Sequence, residues 1–260
     1  MDNKQQGQFC WLELTAADWQ QAKSFYCDLF NWRADDEDIG GGMYYTKMYC
    51  NDKIVAAMFQ RMPEQEEQGV MTNWLTYIAV DNVDDTLAIA EPLGATVIAG
   101  PHNVMDAGRM AIIQEPNGAV FAIWQANQHT GIEIRDVEGT LCWSELATLN
   151  REDSKAFYHK VLGWEFDDKD MMGMTYTELR VGSHQEGGML EMTEEWGDTP
   201  PHWMNYFAVD DCEKMANKAQ ELGAVICVPP TDIPDVGRFS VINDPQGATF
   251  SIIEVITPAD

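Results

Sequence analysis

Basic residues are scarce in this sequence of 260 residues, which has 16 Lys and Arg against 43 Asp and Glu and a formal net charge of −27. Non-specific nucleic-acid binding depends on Lys and Arg that displace counterions from phosphates, and anionic membrane surfaces attract the same side chains. The charge balance therefore predicts that neither nucleic acid nor a membrane surface is a partner of this chain.

Cysteine frameworks and long apolar runs are also absent. The six cysteines lie far apart without a CxxC pair, which argues against a zinc knuckle or a disulfide scaffold and favours buried free thiols. No run reaches the roughly 18–20 apolar residues of a membrane span, and the polar residues 1–8 lack the apolar core of a secretory signal. A cytoplasmic location is expected.

An internal repeat is the strongest feature that the sequence does contain. Residues 9–32 (FCWLELTAADWQQAKSFYCDLFNW) resemble residues 141–164 (LCWSELATLNREDSKAFYHKVLGW) at a spacing of 132, and residues 93–121 match 222–250 at a spacing of 129. Hydrophobic residues make up 45% of the chain, enough to build buried cores. We therefore predict a first domain over 1–127, a linker over 128–139 and a second domain over 140–260.

Hydrophobic periodicity predicts the same elements in each half. A strand at FCWLEL precedes a helix capped by Asp18, and in the second half Asn150 takes this role, with Gly163 as the stop. Three β-like runs follow, with a hairpin at residues 51–52, and then a strand, a second helix and three more strands. The predicted fold class is α+β, with four βαβββ modules whose curved antiparallel sheets carry helices on their outer side.

The motifs AxxFYxxLFxW after the first strand and DPxGAxF near the end of the chain resemble those of the vicinal oxygen chelate superfamily, which includes glyoxalases, bleomycin-resistance proteins and extradiol dioxygenases. The resemblance covers residues 8–126 and 140–256, and the CWxEL strands and DxGR turns are most similar to the two-domain glyoxalase-like branch. It implies two glyoxalase-like domains with cup-shaped sheets and a site inside each cup. Modules can pair within a half or between halves, and a monomer or a weak homodimer is expected.

The resemblance also indicates where the superfamily binds its metal. These positions fall on Trp11, Leu75 and Ala122 in the first half, on Trp143, Met204 and Ser251 in the second, and near Ala57 and Gly188. A divalent metal needs about three or four nitrogen, oxygen or sulfur ligands, and neither half supplies them. No metal site and no cofactor are therefore predicted, although a metal held by rearranged ligands stays an alternative.

Histidines are the residues that could rebuild a metal site elsewhere. His202 precedes Met204 by two residues, so it is either a displaced ligand on the same strand face or a polar residue at the rim of the cup. The other four are expected to be solvated, namely His102, His129, His159 and His184.

Alternation along the strands predicts an aromatic pocket with one carboxylate in each half. Trp11 and Glu13 share a face in the first half, as Trp143 and Glu145 do in the second. The predicted lining is completed by Tyr77, Trp124, His202, Met204 and Tyr206. Burial against tryptophan would raise the pKa of Glu13 or Glu145 and make it a general acid or base near neutral pH. Alternatively, each Glu is a structural residue bonded to the backbone or to Arg109 or Arg238.

Two classes of function follow for a small-molecule partner. One is an enzyme of the glyoxalase-like lyase or isomerase type that acts without a metal, with Glu13 or Glu145 moving a proton of a carbonyl-bearing or hydroxylated compound. The other is a protein that sequesters an aromatic molecule without chemistry, as bleomycin-resistance proteins do. A metal-dependent glyoxalase with rearranged ligands is a third hypothesis. The acidic surface favours neutral or cationic ligands in every case.

Overall fold

The computed structural model describes residues 4–171 and 173–256. The first half contains β1 (Phe9–Ala16), α1 (Trp19–Phe30), β2 (Arg33–Gly40), β3 (Met43–Cys50), β4 (Lys53–Gln60), α2 (Pro63–Glu67), β5 (Asn73–Ala79), α3 (Val83–Ala90), β6 (Thr96–Val104), β7 (Gly108–Gln114) and β8 (Val120–Ala126). The second half contains β9 (Leu141–Thr148), α4 (Arg151–Leu162), β10 (Glu165–Met171), β11 (Met174–Val181), β12 (His184–Glu191), β13 (His202–Ala208), α5 (Cys212–Glu221), β14 (Val225–Ile233), β15 (Gly237–Asn243) and β16 (Thr249–Val255). The predicted α+β fold of four βαβββ modules is confirmed. The one-turn helix α2 lies outside the predicted pattern, because five residues are too few to show a helical period. Among the described residues, no helix is both long and apolar enough to cross a bilayer.

The predicted helix and turn signals are confirmed. The Asp18 side chain accepts hydrogen bonds from two backbone amides of α1, at 3.0 and 3.1 Å, and Asn150 accepts one from the first turn of α4, at 3.0 Å. Gly163 ends α4 with a φ of 75°. Asn51 and Asp52 have φ values of 49° and 58°, the left-handed conformation that a two-residue hairpin turn requires.

The strands form two eight-stranded sheets, with the orders β2-β3-β4-β1-β5-β8-β7-β6 and β10-β11-β12-β9-β13-β16-β15-β14. They are mixed rather than antiparallel throughout, because the first and last strands of every module pair in parallel. A helix connects the first two strands of a module, so the second strand runs in the direction of the first. Two antiparallel hairpins then bring the fourth strand back beside the first in that same direction.

Contacts divide the chain into two compact units. Unit 1 contains the residues up to Trp11 together with Leu75–Gly131 and Trp143–Met204, and unit 2 contains Leu12–Trp74, Ile132–Cys142 and the chain from Asn205 onward. Unit 1 thus combines the second and third modules, and unit 2 combines the first and fourth. Each unit takes one module from each half. Of the two pairings that the sequence left open, the structure therefore has pairing between halves. The domain boundaries at 127 and 140 describe the duplicated halves and stay a prediction.

The core of unit 2 is built around the buried Tyr26 of α1. Trp74 Nε1 donates a hydrogen bond to the Tyr26 hydroxyl at 2.9 Å, and that hydroxyl donates to Asp244 Oδ2 at 3.0 Å. The rings of Phe207 and Phe250 pack beside this group. The FY and DPxG motifs of the repeat therefore form part of the packing core.

The core of unit 1 has the same plan around Tyr158 of α4. Trp203 Nε1 donates to the Tyr158 hydroxyl at 3.2 Å, and the rings of Phe121 and Trp164 pack on Tyr158 with centroids 5.4 and 4.9 Å away. Glu115 takes the place of the aspartate, and burial raises the pKa of its carboxyl above the ordinary value. Both cores thus use equivalent residues of the repeat.

Candidate functional site

The first carboxylate predicted to do chemistry, Glu13, lies in unit 2 beside a tyrosine. The parallel register of β1 and β4 pairs Glu13 with Ala57. Tyr45 of β3 donates its hydroxyl to Glu13 Oε2 at 2.8 Å, and both side chains are half-buried. The hydrogen bond fixes the orientation of the carboxylate while leaving the pair at the boundary between core and solvent.

The second carboxylate, Glu145, has an equivalent partner in unit 1. Tyr176 of β11 donates its hydroxyl to Glu145 Oε2 at 2.8 Å, and Trp143 Nε1 donates to the same hydroxyl at 2.8 Å. Gly188 stands in register with Glu145, and an added Cβ at this glycine would overlap the Tyr176 hydroxyl. A residue without a side chain is therefore what lets Tyr176 reach Glu145.

The two tyrosines are functional candidates that the sequence reasoning missed. A signal was present, because MYYT at 43–46 and MTYT at 174–177 form a further repeat at a spacing of 131. Strand alternation shows which positions share a face, but it does not show which side chain on a neighbouring strand reaches a given carboxylate.

The proposed arginine partners of the glutamates are wrong. Arg109 bonds both carboxylate oxygens of Asp84 at 2.8 Å, and Arg238 bonds Glu213 at 3.0 Å and Asp232 at 3.1 Å. Both arginines follow the turn glycine of a DxGR motif, and their guanidinium groups reach acids near the N-termini of α3 and α5.

Unit 1 also contains an aromatic sheet face on β5, β7 and β8, here named the Tyr77 face and made of the buried side chains of Tyr77, Met110, Ala122 and Trp124. Tyr77 stands in register with Ala122, and Met110 with Trp124. The rings of Tyr77 and Trp124 lie 6.4 Å apart, and the Tyr77 hydroxyl lies 3.9 Å from the Met110 sulfur. An added Cβ at Gly108 would overlap the Trp124 ring, so this glycine makes room for the indole.

His129, which was expected to be solvated, is half-buried against two predicted pocket residues. Its ring lies edge-on to Trp11 at 4.4 Å and 5.9 Å from Trp124, and Trp124 Nε1 donates to the His129 carbonyl at 2.9 Å. The expectation failed because the segment after β8 turns back onto the strands. Trp11 and Trp124 are thus linked through His129, and Tyr77 joins the same cluster through Trp124.

The remaining histidines follow the sequence expectation more closely. The side chains of His102, His159 and His184 are exposed. His202 begins β13, where its Nδ1 lies 2.8 Å from the Pro200 carbonyl and its ring lies 6.1 Å from Trp196. Met204 is buried further along the same strand.

Unit 2 contains the equivalent of the Tyr77 face, here named the Tyr206 face and made of Tyr206, Phe239, Val241 and Ser251. Ser251 stands in register with both Tyr206 and Val241, and the rings of Tyr206 and Phe239 lie 6.4 Å apart. Tyr206 and Ser251 are buried, whereas Phe239 and Val241 are half-buried. The surface therefore joins an aromatic pair to a buried hydroxyl.

The side chains at the superfamily's metal positions supply few metal ligands. The buried Trp11, Leu75 and Ala122 offer no oxygen, sulfur or basic nitrogen. In the second half, Ser251 offers one hydroxyl and Met204 one thioether sulfur, whereas the indole of Trp143 has no basic nitrogen. Over residues 4–171 and 173–256, no three His, Cys, Asp or Glu side chains are grouped so as to hold a metal ion. These donor sets do not fit a divalent cation.

The cysteines are free thiols, as predicted, but not all of them are buried as expected. Cys10, Cys50 and Cys212 are buried, whereas Cys27 and Cys142 are half-buried and Cys227 is exposed. Burial raises the pKa of Cys142 and of Cys212 to about 12, and it raises the pKa of Cys10 further still. Because the thiolate is the nucleophilic form, these three thiols are unreactive near neutral pH, and the carboxylates are the better candidates for chemistry.

Sequence comparison finds relatives along nearly the whole chain. "Putative glyoxylase CFP32" of Mycobacterium tuberculosis (strain CDC 1551 / Oshkosh) is 40% identical over 251 residues, which cover 96% of this chain and 95% of the relative. "Anthracycline biosynthesis protein DnrV" of Streptomyces peucetius is 32% identical over 255 residues, with coverages of 94% and 92%.

Solved structures share the fold at low sequence identity. The Mn(II)-bound glyoxalase from Novosphingobium aromaticivorans matches with a TM-score of 0.65 and 18% identity, covering 96% of this chain and 82% of its own. The 2,3-dioxygenase LapB from Pseudomonas sp. KL28 matches with a TM-score of 0.63 and 14% identity, covering 98% and 96%. A sequence profile of the Glyoxalase/Bleomycin resistance protein/Dioxygenase superfamily matches residues 8–123 and 140–252. The chain therefore belongs to the Glyoxalase/Bleomycin resistance protein/Dioxygenase superfamily.

Proposed function

We propose that this protein binds a small, neutral or cationic carbonyl compound at its aromatic surfaces and moves a proton of that compound with Glu13 or Glu145, as a metal-independent isomerase or lyase of glyoxalase-like type. The observation that carries the proposal is the carboxylate held by a tyrosine hydroxyl at 2.8 Å in each half. A general base must be fixed within hydrogen-bond reach of the proton that it removes, and such a pair is suited to that role.

The proposed reaction is a proton transfer next to a carbonyl group. The carboxylate takes a proton from the hydroxyl-bearing carbon beside the carbonyl of an α-hydroxy ketone. The electron pair of the broken C–H bond forms a C=C bond and the carbonyl π pair moves to the carbonyl oxygen, giving an enediolate. Transfer of the hydroxyl proton to that oxygen and return of the abstracted proton to the former carbonyl carbon complete an isomerisation. Tyr45 and Tyr176 are positioning residues in this scheme, because their hydroxyls orient the carboxylates that react.

The aromatic composition of the Tyr77 and Tyr206 faces supports a small-molecule ligand. Aromatic surfaces with a few polar groups are typical of small-molecule sites, and the Tyr77 and Tyr206 faces have this composition. The names of the relatives, a glyoxylase and an anthracycline biosynthesis protein, agree with a small-molecule partner. A net charge of −27 opposes the approach of anions, so the proposal favours neutral or cationic compounds.

Sequestration without chemistry is the second candidate, and the ring cluster of unit 1 favours it. Trp11, His129 and Trp124 meet edge to face at 4.4 and 5.9 Å, and Tyr77 adds a fourth ring. Such a cluster can bind an aromatic molecule by packing alone. Under this alternative, the glutamates would orient a ligand or stabilise the fold without exchanging a proton with it.

The test is hydrogen exchange of 2-hydroxyacetophenone in D₂O, followed by proton NMR. A proton-transferring enzyme replaces the CH₂ protons with deuterium faster than buffer does. Loss of a general base costs about 10²–10⁴ in rate, so we expect Glu13→Gln or Glu145→Gln to lower the exchange by at least about 100-fold with little change in binding. The control is Glu191→Gln at the exposed end of β12, which should exchange like the wild type.

Each outcome separates the candidates. Binding of 2-hydroxyacetophenone without exchange, equal in wild type and both variants, would support sequestration and contradict the enzyme. Elemental analysis of the purified protein addresses the metal-dependent alternative, since a stoichiometric divalent metal would overturn metal independence. A loss of exchange in only one variant would assign the reaction to that half.

A further inference from the structure

A buried hydroxyl without a partner lies on the Tyr206 face. The Ser251 side chain is 0% exposed, and its Oγ makes no hydrogen bond within the described part of the chain. Buried polar groups in folded proteins are nearly always bonded to protein or to ordered water. A buried hydroxyl that protein atoms leave unpaired is therefore a candidate contact for a bound molecule.

The orientation of Ser251 follows from its neighbours on β16. The adjacent Phe250 packs against Phe25, Tyr26 and Phe207 on the side of the sheet that carries the helices. Side chains alternate along a strand, so Ser251 points to the opposite side, which is the side of Tyr206, its register partner. The hydroxyl therefore faces the aromatic pair and not the helix-covered core.

Two residues beside the Ser251 hydroxyl are partly exposed to solvent. Phe239, whose ring lies 6.4 Å from that of Tyr206, and Val241, the register partner of Ser251 on β15, are only half-buried. The surface thus offers ring faces for packing and the buried Ser251 hydroxyl as a hydrogen-bond donor, a combination that can fix the orientation of an aromatic carbonyl compound.

Ser240 on the neighbouring strand β15 is a buried serine whose hydroxyl is bonded within the protein. It is also 0% exposed, but its hydroxyl donates to the Val228 carbonyl at 2.7 Å. Its place in β15, one residue from Phe239 and one from Val241, puts it on the opposite side of the sheet from Ser251. The two serines have equal burial and differ in whether the protein satisfies the hydroxyl.

We propose that Ser251 is a specificity residue of the ligand site, donating its hydroxyl hydrogen to the carbonyl oxygen of an aromatic molecule packed on Tyr206 and Phe239. This proposal rests on the proposed small-molecule function and deepens it. Ala122 occupies the equivalent position on the Tyr77 face, so selectivity for a carbonyl oxygen belongs to the second half of the chain. An analogue without an acceptor leaves the Ser251 hydroxyl unpaired and binds less tightly for that reason.

The experiment compares acetophenone with α-methylstyrene, in which a CH₂ group replaces the carbonyl oxygen, by NMR titration of wild type, Ser251→Ala and Ser240→Ala. Loss of one hydrogen bond to a neutral partner corresponds to about a fivefold to tenfold change in affinity. We expect the preference for acetophenone over α-methylstyrene to fall by that factor in Ser251→Ala and to stay unchanged in Ser240→Ala. Thermal unfolding of the ligand-free proteins should show an unchanged or raised midpoint for Ser251→Ala and a lowered one for Ser240→Ala.

The results separate this proposal from the proposed function. An unchanged preference in Ser251→Ala, or a drop in its unfolding midpoint equal to that of Ser240→Ala, would overturn the ligand role and assign Ser251 to the fold. If wild type bound both probes but Ser251→Ala kept the preference, the small-molecule function would stand without Ser251. Failure of wild type to bind either probe at millimolar concentration would overturn the aromatic carbonyl ligand itself.

Discussion

The Tyr77 face and the Tyr206 face occupy equivalent strands of the two halves, yet their chemistry differs. A tyrosine stands in register with residue 122 in one and with residue 251 in the other. On the opposite side of each sheet the two halves have equivalent residues, since Phe121 and Phe250 both pack against the tyrosine of an FY motif. The differences collect on the two faces, where Met110, Ala122 and Trp124 correspond to Phe239, Ser251 and Ile253.

The two halves share the residues of the helix–sheet core and differ in the residues of the two faces. The residues that hold helix to sheet are nearly the same in both halves, whereas the other side carries an indole cluster in one half and a buried hydroxyl in the other. A surface with only a structural role would have little reason to differ between two copies of one scaffold. The comparison therefore agrees with the proposal that the two faces bind different ligands.

Trp124 is the largest residue that differs between the two faces, and its replacement is expected to have the largest effect on stability. Trp124→Ile puts the second-half residue into the Tyr77 face, removing the indole packing on Tyr77 and His129 and the hydrogen bond to the His129 carbonyl. The space that Gly108 leaves for the indole would become a cavity. We expect the free energy of unfolding, measured by urea denaturation, to fall by about 2–4 kcal/mol.

The matched control for Trp124→Ile is Ile253→Val at the equivalent position of β16. Removal of one buried methylene typically costs about 0.5–1.5 kcal/mol. Equal losses in the two variants would contradict the view that Trp124 organises the Tyr77 face.

The glycine below the second Glu–Tyr pair provides the next comparison. Gly188→Ala puts a methyl group where the Tyr176 hydroxyl lies, and Ala57→Gly makes the reverse change beside Glu13. Because overpacking costs about 1–3 kcal/mol, we expect Gly188→Ala to destabilise the protein by that amount. Ala57→Gly should cost about 1 kcal/mol through backbone entropy.

The geometry at Gly188 can be checked with a double-mutant cycle measured by urea denaturation. If the added methyl clashes with Tyr176, then Gly188→Ala should cost much less in a Tyr176→Ala background. Additive losses would show that the methyl group is accommodated without moving the phenol, contrary to the close approach of the two residues.

The fold could be predicted from the sequence because its signals are local. The Asp18 and Asn150 caps, the turn at residues 51–52 and the spacing of the repeat each depend on a few neighbouring residues. Module pairing, by contrast, depends on contacts such as that of Tyr26 with Asp244, which are 218 residues apart. Nothing in the local pattern distinguishes pairing within a half from pairing between halves.

The candidate site was predictable only in part, for a similar reason. Strand alternation led to Glu13, Glu145 and the tryptophans as candidates, since each of them stands at a defined position on its own strand. It did not identify Tyr45, Tyr176 or the role of His129, whose contacts depend on the register of a neighbouring strand or on the path of a loop.

The two buried tyrosines give the smallest expected difference and the one that depends on pH. Tyr26 donates to Asp244, whereas Tyr158 accepts from Trp203. Both Tyr26→Phe and Tyr158→Phe leave an indole N–H without its acceptor, and this shared loss should cost about 1 kcal/mol in each variant. Tyr26→Phe also removes a hydrogen bond from the carboxyl of Asp244.

Burial raises the pKa of Asp244, and backbone amides and the Tyr26 hydroxyl act to lower it. A raised pKa in the folded state means that the stability gained by protonation is present below the unfolded pKa of about 3.9 and is lost as pH rises through the folded value. Tyr26→Phe raises the folded pKa of Asp244 further, so its destabilisation should be about 1 kcal/mol larger at pH 7, where the carboxylate is charged, than near pH 4. Tyr158→Phe should show no such trend, because hydrogen bonds from Asn117 and Ala119, not from Tyr158, lower the pKa of Glu115. Urea denaturation of both variants from pH 4 to 8 measures this difference, and parallel pH profiles would mean that Tyr26 and Tyr158 play the same role in their cores.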